Sequence, residues 1–226
     1  MKLYENVVIG NFLYSLGYSI GNATLKKKQL SVISLLQQTP ADKLLGDMLL
    51  EFIGVVRLIE FKNKASSLAK ERDKCSKLKL TIGGNKEMQN ISREIHWYVE
   101  TEPFKELCLN NIKPYLDAFS IGNSIHTIES FIDSITHSVI TPTNKIPPSK
   151  LEAYLALVTC CQGDGKVGTG GLLVSVSKEG IRYLQFTNIM QLNLQHKEYV
   201  LQVAREYKSM MKKKKLQKEH SLDMDR

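Results

Sequence analysis

The chain has 226 residues, of which 42% are hydrophobic and 24% charged, with a formal net charge of +8 and a pI of about 9.2. These values are typical of a globular protein with one good-sized core, or one core with an appendage. Four cysteines without a Cys-x-x-Cys pair argue against a secreted disulfide scaffold, and no run approaches the ~18 apolar residues of a membrane span. We therefore expect a cytoplasmic protein with no membrane association, whose basic charge favours acidic partners such as nucleic acid.

The first predicted element is a helix from Leu3 to about Ile20. Apolar residues recur along it at helical spacing, namely Ile9, Phe12, Leu13, Leu16 and Ile20. Glu5 falls on the same apolar face, where an unpaired carboxylate would be costly. A carboxylate in this position needs a partner, and the alternative is that Glu5 is a first-turn acid favoured by the helix dipole.

A second amphipathic segment, 30–36, is followed by a predicted β-hairpin. Two runs rich in strand-forming residues, 48–53 and 55–61, flank Gly54, whose backbone suits a tight reversal. A two-residue loop pairs position 52 with 55, 50 with 57 and 47 with 60. Side chains alternate along a strand, so one face carries Asp47, Leu49, Glu51, Val56, Leu58, Glu60 and Lys62.

This register places Asp47 directly opposite Glu60. Facing carboxylates stand roughly 5 Å apart at Cβ and repel each other unless a positive charge lies between them. A divalent cation would supply that charge, and Lys62 is the next side chain on the face. The alternative is that these are strand-end charges in water, with Lys62 as an ion-pair partner.

An Asp, a spacer ending in a hydrophobic strand, and then Glu60-Phe-Lys62 together resemble the core motif of the PD-(D/E)XK nuclease superfamily. The resemblance implies that Asp47, Glu60 and the Phe61 carbonyl hold Mg²⁺ or Mn²⁺, for which oxygen ligands are suited. It implies that Lys62 positions or activates the attacking water. It also implies that a helical Glu lies near the metal, which points to Glu5. Glu51 is the rival to Asp47 if the register differs.

The predicted helix after the hairpin carries the densest run of basic residues beside this site. Its candidate nucleic-acid contacts are Lys64, Lys70, Arg72, Lys74 and Lys77. Such a row can lie along a phosphate backbone. A solvated helix face is the alternative interpretation.

Further along the chain, Gly83-Gly84 predicts a turn and 96–101 a third strand, unless the preceding helix continues through it. Trp97 and Tyr98 are candidates for base stacking or, alternatively, core residues. Ser124 is predicted to cap a helix whose apolar residues run from Ile125 to Val139.

The segment 141–148 is predicted to be a linker, followed by a capping box at Ser149–Glu152 that opens a helix to Cys161. A second hairpin is predicted at 172–177 and 181–186, and a long helix from about Asn193. We accordingly divide the chain into a nuclease-like core at 1–145, a C-terminal helix, hairpin and helix module at 149–210, and a basic disordered tail at 211–226.

The expected fold is α/β, a mixed β-sheet flanked by helices with a restriction-endonuclease-like core and a C-terminal appendage. The expected function is metal-dependent cleavage of nucleic acid, with DNA favoured over RNA. One alternative is an inactive nucleic-acid-binding or adaptor subunit of a larger assembly, for instance in bacterial antiviral defence. Another is a protein-interaction domain that uses the helix faces around Ile125 and Tyr199. A protein partner or homo-oligomer is left open.

Overall fold

The computed structural model describes residues 4–23, 30–35, 48–52, 55–63, 68–104, 107–122, 126–141, 146–162, 171–177 and 180–186. The helices are α1 Glu5–Ala23, α2 Ala69–Ile82, α3 Lys86–Ile95, α4 Ile128–Ile140 and α5 Pro148–Gln162, with a 3-10 turn at Tyr115–Asp117. The strands are β1 Leu30–Leu35, β2 Met48–Phe52, β3 Val55–Asn63, β4 His96–Phe104, β5 Leu107–Pro114, β6 Gly171–Ser177 and β7 Gly180–Phe186.

The described strands form one mixed sheet in the order β5-β4-β3-β2-β1-β6-β7. β3 and β4 are parallel, and the other described pairs are antiparallel. A parallel pair needs a long crossover, which α2 and α3 provide here. The protein is therefore α/β, with a mixed sheet flanked by helices, as the sequence predicts.

The hairpin of β2 and β3 has the predicted register over its described length. Phe52 pairs with Val55, Leu50 with Arg57, and Met48 with Ile59. The loop at 53–54 and Asp47 lie outside the described residues. The register therefore follows the alternation of buried and polar positions on both sides of Gly54.

The two faces of the sheet are chemically different. On the first face, a hydrophobic core of β2, β3 and β4 residues packs against α1 and α4. Phe12 of α1 packs edge-on against Phe61, with ring centroids 5.6 Å apart, and stacks on Phe131 of α4. The second face carries the alternate side chains of β3 and β4, which include the polar residues Glu60 and His96.

Two helix starts differ from the predictions. α4 is capped by Thr127, whose Oγ1 accepts a hydrogen bond from the Ser130 amide at 3.2 Å while the Ser130 hydroxyl accepts one from the Thr127 amide. The predicted cap at Ser124 is therefore wrong, because this reciprocal pair fixes the first turn three residues later.

The capping box predicted at Ser149–Glu152 is also wrong. α5 begins at Pro148, so Ser149 already lies in its first turn. The Pro147 carbonyl accepts the amides of Lys150 and Leu151 at 2.9 and 3.1 Å. Proline suits the first helical position because its fixed φ matches the helix and its missing N–H has no partner there.

The helix before β4 does not continue through it, because α3 ends at Ile95 and the strand begins at His96. The core interpretation of the two aromatics is correct. Tyr98 is fully buried, and Trp97 is half-buried against Phe131, with ring centroids 4.9 Å apart. Neither offers an open face on which several bases could stack.

The second predicted hairpin is present as β6 and β7, and β6 extends the sheet by pairing with β1. The helix predicted from Asn193 and the tail at 211–226 lie outside the described residues, so the division into core and C-terminal module stays a prediction. Among the described helices, none combines the length and hydropathy needed to cross a bilayer.

Candidate functional site

Glu60 and Lys62 form an ion pair near the end of β3. Glu60 is only 2% exposed, on a strand whose neighbours Ile59 and Phe61 are buried in the core. Lys62 Nζ lies 2.6 Å from Glu60 Oε1 and donates a hydrogen bond to the Phe61 carbonyl at 3.0 Å. The ammonium group therefore contacts two of the oxygen groups that the resemblance assigns to a metal, the Glu60 carboxylate and the Phe61 carbonyl.

Glu5 approaches the same strand end from α1. Its Oε1 accepts a hydrogen bond from the backbone amide of Asn63 at 3.2 Å. The Glu5 carboxylate therefore has a backbone partner one residue beyond Lys62, and its predicted place near a metal stays a prediction. Glu5 of α1 and the Glu60–Lys62 pair thus both lie at the end of β3.

The register places Glu51, the predicted rival to Asp47, away from the end of β3. Glu51 pairs with Val56, four residues before Glu60, which corresponds to about 13 Å along the strand. Glu51 is therefore placed away from the Glu60–Lys62 pair. Asp47 lies outside the described residues, and its pairing with Glu60 stays a prediction.

A second buried carboxylate, which the sequence analysis missed, lies on the same face of the sheet. Glu71, in the first turn of α2, is buried and accepts a hydrogen bond from the Tyr115 hydroxyl. Its other oxygen lies 3.4 Å from Lys74 Nζ. Glu71 occurs within the basic run, and the composition of that run predicts a solvated position for it. No local pattern indicates that Tyr115, 44 residues later, is its partner.

The carboxylates act together on two buried tyrosines. Burial raises the pKa of Tyr98, and the charges of Glu100, Glu71 and Glu60 raise it further. Burial also raises the pKa of Tyr115, with Glu71 the largest charge contribution and Glu60 a smaller one. Tyr98 donates a hydrogen bond to Glu100 at 3.0 Å. Both phenols are therefore neutral hydrogen-bond donors that hold acidic side chains in place.

Behind this cluster lies a buried hydrogen-bond chain. The Tyr154 hydroxyl of α5 is 2.8 Å from His96 Nδ1 and 2.7 Å from the Ser92 hydroxyl. Burial lowers the pKa of His96 to about 3, with a further lowering by the Lys74 charge. His96 is thus a neutral structural histidine. It connects α5 and α3 to the strand beside β3.

The basic residues predicted to contact nucleic acid, as far as the structure describes them, divide into two groups. Lys70, Arg72 and Lys77 are exposed on α2, and the Arg72 guanidinium lies 5.2 Å from the centre of the Phe119 ring. Lys74 is half-buried and paired with Glu71. Lys64 lies outside the described residues.

A metal ion fits the described residues in part. Within the part of the chain that the structure describes, no group of three His, Cys, Asp or Glu side chains is arranged to hold a metal ion. Glu60 and the Phe61 carbonyl do supply two oxygen donors that converge on one cation, the Lys62 ammonium. A divalent site therefore needs a further acidic ligand, for which position 47 is the sequence candidate.

Comparison with known proteins identifies no relative: no protein-family model, no curated protein and no solved structure matches the chain.

Proposed function

We propose that the chain is a metal-dependent nuclease with a PD-(D/E)XK-like site, which hydrolyses phosphodiester bonds of nucleic acid, DNA being the favoured substrate. The observation that carries the proposal is the Glu60–Lys62 pair at the end of a buried strand, with Glu5 bound one residue further on. The restriction-endonuclease-like core and the C-terminal appendage are part of the same proposal.

The energetics of burial favour a functional role for this pair over a purely structural one. A buried ion pair often stabilises a fold no more than apolar side chains of similar volume, because both charges lose hydration. The residues next to Glu60 on β3, Ile59 and Phe61, are buried and apolar, so leucine or valine at position 60 would suit the core. A charged pair in this position is more readily understood if its charges serve binding or chemistry.

In the proposed site, Glu60, the Phe61 carbonyl and Asp47 would hold Mg²⁺ or Mn²⁺. When bound, such an ion lowers the pKa of a coordinated water and neutralises charge on the phosphate oxygens. Lys62 is a cation at the strand end, where its ammonium can donate hydrogen bonds to a water or a phosphate oxygen. Glu5 would position the end of β3 through the Asn63 amide.

Exposed cations on α2 would bind the rest of the substrate. Lys70, Arg72 and Lys77 are open to solvent, whereas Lys74 is engaged with Glu71. Contacts to phosphates provide affinity without reading sequence. We therefore propose that α2 binds the backbone of the nucleic acid while the end of β3 carries out cleavage.

Cleavage of plasmid DNA by the purified chain with Mg²⁺ or Mn²⁺ tests this function. Lys62→Ala and the isosteric Glu60→Gln should each lower cleavage by about 100-fold or more, since each removes a charge used in the transition state. Lys150→Ala is the matched control, because Lys150 forms an exposed ion pair with Glu87. Full activity in a folded Lys62→Ala protein would reject the proposal.

A second candidate function is nucleic-acid binding without cleavage, as an adaptor in a larger assembly such as an antiviral defence complex. It is favoured by one observation: Lys62 is already neutralised by Glu60, while the exposed cations of α2 need no metal to bind phosphate. Salt-dependent DNA binding by a protein that cuts neither DNA nor RNA with either metal would select this alternative.

A further inference from the structure

The outward face of α1 carries a row of exposed aromatic and apolar side chains. Tyr14 is 76% exposed, Tyr18 65%, Tyr4 59% and Val7 46%. With Asn11, these residues follow one another at spacings of three and four, so they form a single stripe along the helix. The opposite face of α1 is the one buried in the core. The helix is therefore apolar on two sides.

The stripe is unusual because it is uncharged. After Glu5, α1 contains no charged residue up to Ala23, although the whole chain has a net charge of +8. Gly10 and Gly17 lie beside Tyr14, and a Cβ at either position would meet no atom within 4 Å. Isolated exposed apolar side chains are common, but a continuous uncharged stripe marks an interaction surface.

We propose that this stripe, Tyr4, Val7, Asn11, Tyr14 and Tyr18, is a homodimer interface at which α1 packs against α1 of a second copy. A two-fold axis places a surface patch against itself, so a self-associating patch must avoid like charges. The stripe carries no charge, although the protein as a whole is strongly basic, so it can face a second copy of itself without charge repulsion. It also offers no charge with which to select an acidic or basic partner. This inference does not depend on the proposed nuclease activity.

The area of the stripe is sufficient for a weak dimer. A buried tyrosine removes about 150–250 Å² from water, so three tyrosines exposed by about two thirds contribute roughly 300–500 Å² per copy. Two copies, with Val7 and the open backbone at the glycines, approach the ~1,000 Å² that separates specific interfaces from incidental contacts. We therefore expect weak association that depends on protein concentration.

Sedimentation equilibrium of the full chain tests the interface. The wild type should dimerise, and Tyr14→Glu/Tyr18→Glu should weaken dimerisation by about tenfold or more, because two carboxylates would face two others. Leu80→Glu is the matched control, since Leu80 is an exposed apolar residue of α2 outside the stripe. A monomeric wild type, or a double variant that dimerises normally, would overturn the proposal.

Two further measurements identify the contact. Raising the salt concentration should strengthen the dimer, because it screens the repulsion between basic copies, whereas association bridged by nucleic acid would weaken. Asn11 lies at the middle of the stripe and meets its own copy in either helix orientation. In a Cys160→Ser/Cys161→Ser background, Asn11→Cys should form an intermolecular disulfide on oxidation. Failure of both the salt response and the cross-link in a dimeric protein would place the interface elsewhere.

Discussion

The imidazole ring of His96 lies flat against the phenol ring of Tyr115, with ring centroids 4.1 Å apart and ring planes 2° apart. Tyr115 in turn donates its hydroxyl hydrogen to Glu71, and His96 Nδ1 contacts the Tyr154 hydroxyl. The stack therefore joins the buried carboxylate of α2 to the hydrogen-bond chain beneath α5. It also keeps the imidazole away from water, which determines how the fold responds to acid.

We predict that His96 makes the protein less stable as the pH falls from about 6.5 towards 3. The pKa of His96 is lowered to about 3 in the fold, so between these values the unfolded chain binds a proton that the folded protein does not. The contribution of His96 to the free energy of unfolding is therefore fully present above the unfolded pKa. It declines below that pKa, by about 2 kcal/mol at pH 5. Thermal unfolding across this pH range measures the effect.

His96→Phe is the variant that isolates this contribution. Phenylalanine can keep the stack on Tyr115, and Tyr154 keeps its 2.7 Å contact with Ser92. Carboxylates also titrate in this range, so the informative quantity is the difference in slope between the variant and the wild type. An equally steep fall of melting temperature in His96→Phe would show that His96 does not cause the acid sensitivity.

Metal binding should stabilise the fold through position 47 and not through Glu51. With Mn²⁺ at about ten times its dissociation constant, mass action adds about 1.4 kcal/mol, or roughly 3–5 °C in melting temperature. Asp47→Asn should abolish most of this shift, because the register of β2 extended by one residue brings 47 to Glu60.

Glu51→Gln is the matched control for that experiment. It removes an acid from the same face of β2, but about 13 Å further along the strand, so the Mn²⁺ shift should remain. If the Mn²⁺-induced rise in melting temperature were lost in Glu51→Gln and kept in Asp47→Asn, the metal would bind near Glu51 at the loop end of the hairpin. That result would refute the predicted site.

Replacing two buried cations, Arg57 and Lys113, by methionine should change the stability of the protein in opposite directions. Arg57 is 9% exposed; its Nη1 donates to the Val56 carbonyl, and within the described residues its buried Nε has no hydrogen-bond partner. Burial lowers the pKa of Arg57, which reflects the desolvation of its charge. Arg57→Met should raise the free energy of unfolding by about 1 kcal/mol or more.

Lys113 provides the contrast. It is also buried, at 5% exposed, but its Nζ donates to the carbonyls of Gly122 and Ser120 at 2.6 and 3.3 Å. Lys113→Met should therefore lower the free energy of unfolding by about 1 kcal/mol. Denaturant titration of both variants measures the difference, and a loss of stability in Arg57→Met would show that its guanidinium is better satisfied than its geometry indicates.

The exposed cations of α2 should control nucleic-acid affinity without controlling chemistry. Lys70→Ala/Lys77→Ala should weaken DNA binding and lower the slope of log affinity against log salt by roughly 2, because two counterion-releasing contacts are lost. Lys150→Ala should leave the slope unchanged. An unaltered slope in the double variant would place the DNA contacts on another surface.

The hairpin could be predicted from sequence because its determinants are local. Gly54 and the alternation of polar and apolar residues around it suffice to pair Met48 with Ile59, and the same pattern places Glu60 and Lys62 on one face. The bounds of β6 and β7 could also be predicted to within one residue, because the determinants of that hairpin are local too. A partner for Glu5 can be expected from sequence, because a carboxylate on an apolar helix face requires one.

Features that depend on distant residues could not be predicted. Glu71 is buried because Tyr115 and Lys74 surround it, and nothing in its own segment distinguishes it from a surface acid. The cap predictions failed for a related reason. Ser124 and Ser149 have suitable side chains, but the helices begin at Ile128 and Pro148, where the Thr127 and Pro147 carbonyls accept the first backbone hydrogen bonds. The strands that pair with β1 and β4 likewise could not be predicted from local sequence patterns.

The pairing of β1 with β6 has a consequence for synthesis of the chain. Leu30 pairs with Ser175, so one side of β1 has no partner strand until residues near 175 have been made. At about 5–20 residues per second, this interval lasts roughly ten to thirty seconds. During that time the nascent chain carries an open strand edge, which is a template for misfolded or intermolecular pairing. Chaperone protection of the first part of the chain is therefore expected to matter until β6 emerges from the ribosome.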